Sequence, residues 1–213
     1  LDFDEYVMLK DFNKNFNVSP PIKKIKKVIP SNLANKYVLI QWEDTLQANT
    51  TYNFNFGNAI VDNNESNPLP YFNFAFSTGD KIDDLFVSGT VKDAMTLIKE
   101  NQTAKDNKMV VGLYKAGENL DYKQKPDYIT KVDEENYFEL NFLPKGEFVI
   151  IAFDDENQNS VYDAGKEKVS FLKEKITLDS TSVRGLKLKL YPSKKVVKYK
   201  ESKAINGGLL MTF

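Results

Sequence analysis

A chain of 213 residues that is 41% hydrophobic, with 15 Phe and 11 Tyr, has apolar area for one large or two small cores and too much for a disordered segment. Its 29 basic and 30 acidic side chains nearly cancel, which argues against a global nucleic-acid binder, because that affinity rests on a basic surface neutralising phosphates. With no Cys and no His there is no disulfide frame, thiolate nucleophile, Cys-ligated zinc, Ser-His-Asp triad or HExxH site; carboxylate pairs, Ser-Lys chemistry and oxygen-bound hard cations remain.

The chain opens on Leu1-Asp2-Phe3-Asp4-Glu5-Tyr6-Val7, which already reads as a strand with neither start Met nor signal peptide before it. It ends as abruptly in Leu209-Leu210-Met211-Thr212-Phe213, and the expectation is a piece of a longer polypeptide. No run approaches the roughly 18 apolar residues that cross a bilayer. Pro20-Pro21, Pro30, Pro68 and Pro70 keep regular structure out of their neighbourhoods. Between the first of these lies Lys23-Lys24-Ile25-Lys26-Lys27-Val28-Ile29. It reads as a patch for an anionic partner such as lipid headgroups or, more often for such runs, as an edge strand whose charge blocks aggregation.

Period-two alternation dominates the rest of the chain. Tyr52, Phe54 and Phe56 alternate with Asn53 and Asn55; Phe72, Phe74 and Phe76 with Asn73 and Ala75; Leu186, Leu188 and Leu190 with Lys187 and Lys189. Alternate side chains of a strand share a face, so each run offers one apolar and one wet face, as in antiparallel sheets packed on one side. Further strands are expected at 37–42, 86–91, 109–114, 137–142, 147–153 and 169–172, separated by Asn, Asp, Gly and Pro turns. Residues 93–102 carry the best helical spacing (Ala94, Leu97, Ile98) and read equally as a surface excursion. The predicted fold is all-β, two tandem Ig-like/transthyretin-like antiparallel β-sandwiches. The first spans 1–79, a connection 80–85, the second 86–191, and 192–213 is a Lys-rich linker and the start of a truncated third unit.

Several pieces carry resemblance to known families. Phe3-Asp4-Glu5-Tyr6-Val7, Val18-Ser19-Pro20-Pro21, Leu46-Gln47-Ala48-Asn49-Thr50-Thr51-Tyr52, the turn from Ile60 to Leu69 and Phe74-Ala75-Phe76-Ser77-Thr78-Gly79 occur in the order seen in bacterial Ig-like domains of the SbsA type, which the first unit resembles, with the family's opening strand missing. Val87-Ser88-Gly89-Thr90-Val91-Lys92-Asp93-Ala94 and the run Phe138 to Phe148, with Leu143-Pro144-Lys145-Gly146 as its turn, resemble the first strand and signature hairpin of Cna-B or carboxypeptidase-regulatory sandwiches. The tandem is similar to Ig-like-domain lipoproteins of Bacteroidetes. That resemblance implies export and an outer-membrane lipid anchor on a Cys outside this segment.

The sharpest candidate site is the run Asp154 to Glu167. With Asp155 as first ligand, Asn157, Asn159 and Asp163 fall at the third, fifth and ninth positions of an EF-hand-like loop, with the Val161 carbonyl at the seventh. Glu167 comes one residue late, Lys166 takes the twelfth place, and Ser160 stands where a Gly usually eases the turn. The alternative to calcium is an Asx-rich turn capping its own backbone. Asp62 to Asn67 forms a second acidic turn without that alternation. The carboxylate doublets Asp4/Glu5, Asp83/Asp84 and Glu134/Glu135 make poor acid/base pairs, because adjacent strand residues point to opposite faces. Trp42 and the tyrosines Tyr114, Tyr122 and Tyr128 raise a sugar-stacking reading, although core periodicity favours burial. Asp44-Thr45-Leu46 and Asp179-Ser180-Thr181 match the short motif by which Bacteroidetes O-glycosylate exported proteins, which implies Thr45 and Ser180 as acceptors.

The function expected is non-catalytic. It is a spacer or docking module, hinged at 79–84, of an exported, lipid-anchored outer-membrane protein with a protein partner there, no nucleic acid, and calcium as its one cofactor candidate. The alternative is a glycan-binding or accessory module of a polysaccharide-processing surface protein. An enzyme whose catalytic domain lies outside the segment is a third class.

Overall fold

A computed structural model describes residues 1–95, 108–117, 120–193 and 199–212. The first sandwich is built from β1 (Asp2–Leu9), a four-residue helix α1 (Phe12–Asn15), β2 (Asn17–Ser19), β3 (Ile25–Ile29), β4 (Asn35–Tyr37), β5 (Leu39–Trp42), β6 (Thr51–Gly57), β7 (Ile60–Asp62) and β8 (Phe72–Ser77). These form the sheets β4-β1-β7 and β2-β6-β8 and the ribbon β3-β5, all antiparallel. The alternation of β6 sends Tyr52, Phe54 and Phe56 inward to exposures of 1–4%. There Phe56 meets Phe16 at 5.0 Å between ring centroids, and Phe54 meets Trp42 at 5.5 Å. Trp42 therefore belongs to this aromatic interior.

The strand expected over 37–42 is divided at Val38. That side chain turns into the core, and its backbone exchanges hydrogen bonds with Leu1: the Leu1 amino group donates to the Val38 carbonyl at 3.0 Å and the Val38 N–H to the Leu1 carbonyl at 2.8 Å. The chain thereby passes from one sheet to the ribbon. The lysine run lies on β3, which among the described residues pairs with β5 alone, so Lys26 and Lys27 flank an open edge. That is the charge-guarded edge arrangement.

The second sandwich comprises β9 (Leu85–Asp93), β10 (Met109–Lys115), β11 (Tyr128–Lys131), β12 (Tyr137–Leu143), β13 (Gly146–Asp154), β14 (Val169–Phe171), β15 (Ile176–Leu178) and β16 (Val183–Leu190). Sheet β12-β9-β16 faces sheet β11-β10-β13-β14, with β15 also on β13. Their shared core holds Val87, Val91, Leu113, Phe138, Leu143, Phe148, Ile150 and Leu188. Behind β10 and β13 a smaller cluster of Val110, Tyr114, Ile129, Ile151 and Phe153 is covered by loop residues Tyr122 and Tyr162, so these two central strands are apolar on both faces. Both Ala94 and Met95 lie past the end of β9, and 96–102 of the helical window fall outside the described residues.

Two expectations change here. The run Phe138 to Phe148 is not a hairpin: β12 pairs with β9, whereas β13 pairs with β10, β14 and β15. Leu143 and Phe148 are both buried in the same core, so the Pro144–Gly146 turn carries the chain across the sandwich from one sheet to the other. Pro144 contributes no N–H to a ladder, which suits it to the crossing. In addition, β16 joins β9 in parallel, although every other strand pairing among the described residues of this unit is antiparallel. The long excursion through the opposite sheet lets the chain return in β9's own direction.

The wet face expected of β6 is covered. β2 packs against β11 and β6 against β12, so Asn53, Asn55 and Asn73 look onto Tyr128, Ile129, Thr130 and Glu139 rather than bulk solvent. The Ser19 hydroxyl oxygen accepts the Ile129 N–H across this seam. The connection at 79–84 is tied as well. The Thr78 hydroxyl donates to the Gln47 carbonyl at 2.6 Å, the Thr51 hydroxyl accepts the Asp83 N–H at 2.9 Å, and Ser182 accepts the Phe86 N–H at 3.0 Å. Beyond Ser193, strands β17 (Glu201–Ile205) and β18 (Gly208–Thr212) form a two-stranded ribbon on which Ile205, Leu209, Leu210 and Met211 are each at least half exposed. Of the lysines expected in the preceding linker, Lys194, Lys195 and Lys198 lie outside the described residues.

Candidate functional site

The Asp-rich loop follows β13 and closes before β14, at one end of the second sandwich. Asp155 is buried, with 5% exposure; its Oδ1 accepts the N–H of Asn159 and its Oδ2 that of Ser160, both at 3.0 Å. Asn157 Oδ1 accepts the Asn159 N–H at 3.0 Å and Asn159 Oδ1 the Val161 N–H at 2.7 Å, two successive Asx turns. Ser160 has φ +62°, so the residue at the sixth position makes the left-handed turn that a Gly usually supplies.

Asp163 accepts the Asn157 side-chain amide at 2.5 Å. The loop is shut from behind by Glu167, whose Oε1 accepts the Glu156 N–H at 3.1 Å and Oε2 the Asp163 N–H at 2.8 Å. Burial pushes the Glu167 carboxyl up, the charges of Asp155 and Asp163 add to that push, and the two backbone donors oppose it. Asp155, Asn157, Asn159, Val161, Asp163 and Glu167 thus lie in one loop, where the side-chain oxygens of the other five accept hydrogen bonds from within the loop and Val161 supplies an N–H. The side-chain oxygens and the Val161 carbonyl are hard ligands of the kind Ca²⁺ prefers. Among the described residues, however, no three carboxylates stand as a ready cation cage. An ion would have to draw Asp163 and Glu167 toward Asp155.

The other sequence candidates scatter. In the acidic turn after β7, Asp62 caps its own loop: Oδ1 accepts the N–H of Asn64 at 2.9 Å and Oδ2 that of Asn67 at 2.7 Å. These bonds hold the exposed Asp62 carboxyl below its ordinary value, with the Glu65 N–H as the largest cause. Thr45 and Ser180 are exposed on separate sandwiches; beside each, the motif aspartate caps backbone, Asp44 accepting the Lys23 and Lys24 N–H groups and Asp179 that of Ser180.

The tyrosines raised for sugar stacking are not platforms. Tyr114 and Tyr128 are buried, and Tyr122 packs edge-on against Tyr114 and Phe171. The ring that stands out is Tyr71, at 60% exposure, on the turn entering β8 with φ +53°. A bulky residue adopts that backbone only where its surroundings impose it. Here Asn58 Oδ1 accepts the Tyr71 N–H at 3.3 Å and the Asn73 amide donates to the Tyr71 carbonyl at 2.9 Å.

Tyr71 stands at one end of a polar groove along the seam of the two sandwiches. One part, about 290 Å³, is walled by Asn55, Asn58, Tyr71, Lys131, Asp133 and Glu134. It runs into a second, about 350 Å³, that shares Asn15, Asn17, Asn58 and Lys131 and reaches Asp155 and Ser160. Sequence reading missed this groove because it joins residues far apart in the chain. The only local signal was the density of Asn at alternate positions, which an ordinary solvated strand face would also show.

Residues 1–78 match the family model of the bacterial Ig-like domain, a structural and interaction module of surface and exported proteins. No helix among the described residues is long and apolar enough to cross a membrane. No curated protein matches the chain. The family match covers the first sandwich, residues 1–78, and this part of the chain is similar to bacterial Ig-like domains.

Proposed function

We propose that the chain is a non-catalytic spacer and docking module of an exported, lipid-anchored protein of the Bacteroidetes outer membrane, with residues 1–79 and 86–191 as its two units. The observation carrying this reading is the seam. The sandwiches are fastened edge to edge through Ser19 and Ile129, and the connection is tied through Thr78 and Thr51, so the pair would transmit position as one stiff body. The ribbon β17-β18, apolar and exposed, is read as the first pair of strands of a further unit, because an isolated two-stranded ribbon is marginal in water. Thr45 and Ser180, both exposed, are the expected glycan acceptors. The test is to express the protein with its native upstream sequence in a Bacteroidetes host. Membrane fractionation should recover it in the outer membrane with a stoichiometric partner; a soluble protein recovered alone would overturn the reading.

A second reading concerns the Asp155 loop, which we propose takes a calcium ion through Asp155, Asn157, Asn159, Val161, Asp163 and Glu167. The left-handed Ser160, held by Asp155, favours it, since that is the backbone an EF-hand-like loop requires at its sixth position. Bound calcium would draw three carboxylates together and stiffen that end of the second sandwich. Calorimetric titration with CaCl₂ should give heat, and EDTA should lower the melting temperature; neither effect would end the calcium reading while leaving the spacer reading intact.

A further inference from the structure

We infer that the groove along the seam is a binding site for a neutral oligosaccharide, with Tyr71 as its stacking platform and the side-chain amides of Asn15, Asn55 and Asn58 as hydrogen-bond donors. Each of these amides uses its oxygen within the protein: Asn15 accepts Lys131 Nζ at 3.5 Å, Asn55 the Gly57 N–H at 2.8 Å and Asn58 the Tyr71 N–H at 3.3 Å. Each leaves its NH₂ without a protein acceptor among the described residues. A sugar hydroxyl both gives and takes hydrogen bonds, and a row of amide donors beside carboxylates matches that dual character.

The platform is built rather than incidental. Tyr71 is held in a left-handed turn by bonds to Asn58 and Asn73, and the residue is 60% exposed. The hydroxyl lies close enough to the Asp133–Glu135 turn of the second sandwich for those carboxylates to reinforce the effect of burial in raising its pKa. The platform thus belongs to one sandwich and the facing carboxylates to the other.

The lining also selects among ligands. Lys108 and Lys131 stand along the same groove as Asp133, Glu134 and Asp155, so a strongly charged polymer of either sign meets repulsion somewhere along it. A peptide would want apolar sockets for alternate side chains or an open strand edge. The groove offers amides and a single protruding ring.

The test is calorimetric titration of the full chain with cellohexaose, xylohexaose, mannohexaose and chitohexaose, and with a Gly-Ser hexapeptide. At least one hexasaccharide should bind and the peptide should not. Tyr71→Asn, which removes the ring but tolerates the left-handed backbone, should weaken binding about tenfold or more, equivalent to ~1.4 kcal/mol. Tyr71→Phe should retain it within about twofold. Tyr191→Asn, which removes the ring of a residue 54% exposed elsewhere, should change nothing. The proposal is overturned if none of the four hexasaccharides binds, if Tyr71→Asn leaves affinity unchanged, or if the peptide binds with the same dependence on Tyr71. These readouts are independent of membrane recovery, so this proposal and the spacer reading fail separately.

Discussion

The Ser19 hydroxyl oxygen accepts the backbone N–H of Ile129 at 3.2 Å, fastening an edge strand of the first sandwich to an edge strand of the second. Both residues are buried, at 5% and 6% exposure, so water cannot readily replace the bond. Removing one partner of a buried hydrogen bond leaves the other with its desolvation cost, about 1–3 kcal/mol. Ser19→Ala is therefore expected to destabilise the chain by about 2 kcal/mol. Its larger effect should be on coupling: limited proteolysis at the 79–84 connection should accelerate before either core unfolds. Unchanged cleavage there would show that the seam does not hold the sandwiches together.

Gly89 of β9 lies so close to its parallel neighbour that a Cβ would collide with the carbonyl oxygen of Leu186. The obstacle is backbone, so no rotamer change relieves it, and the strands would have to part. Gly89→Ala should cost about 3 kcal/mol or more in chemical denaturation. Gly117→Ala, where nothing lies within 4 Å, is the control and should stay within about 0.5 kcal/mol of the parent. Equal stability of the two variants would refute the close approach of β9 and β16.

That parallel approach marks where sequence reading reaches its limit. The alternation Tyr52-Phe54-Phe56 gave both the strand and its buried face, because a period of two has only one such solution. The same alternation at Leu186-Leu188-Leu190 identified β16 but not its direction, since pairing partners are set by the chain's route and not by local pattern. The Leu143-Pro144-Lys145-Gly146 turn was legible as a turn, yet whether it joins paired strands or crosses the core depends on both flanks being buried. The Asx loop was legible residue by residue, because its hydrogen bonds are local. Tyr71 was not, because the groove it stands in forms only where the Asn-bearing face of its own sandwich meets the Asp133–Glu134 turn of the other.

Burial pushes the Tyr128 and Tyr114 hydroxyls well above the ordinary tyrosine value; Asp127 and Asp83 add to this for Tyr128, Tyr122 and Asp121 for Tyr114. A phenol whose folded pKa exceeds its unfolded value of about 10 contributes stability that is fully present below that pH and lost as pH rises through the folded value. Alkaline titration at 295 nm should therefore resolve more than one step. A later step should coincide with unfolding by circular dichroism. Tyr128→Phe should reduce that later step and move the unfolding to higher pH. A single phase for all tyrosines, with the fold intact, would contradict the burial of these two rings.

The Glu167 carboxyl is raised above its unfolded value chiefly by burial, with Asp155 and Asp163 adding like charge. A carboxylate shifted this way favours the folded state while protonated, so its contribution is fully present below about pH 4.5 and is lost as pH rises through the folded value. In EDTA, the melting temperature should fall across that window, and Glu167→Asp, which withdraws the carboxylate from its two backbone donors, should lower it further. A cation bound by the loop would neutralise the repulsion and reverse the sign. With an extracellular-type dissociation constant of roughly 10⁻⁴–10⁻³ M, about 10 mM CaCl₂ should add ~1.5–3 kcal/mol, most at pH above the Glu167 transition. Asp155→Asn, which removes a buried charge and sets an NH₂ against the Asn159 or Ser160 N–H, should abolish the calcium increment. Superimposable melting curves in CaCl₂ and EDTA from pH 4 to 8 would leave the loop as a self-capped turn, with Glu167 as its backbone acceptor and nothing more.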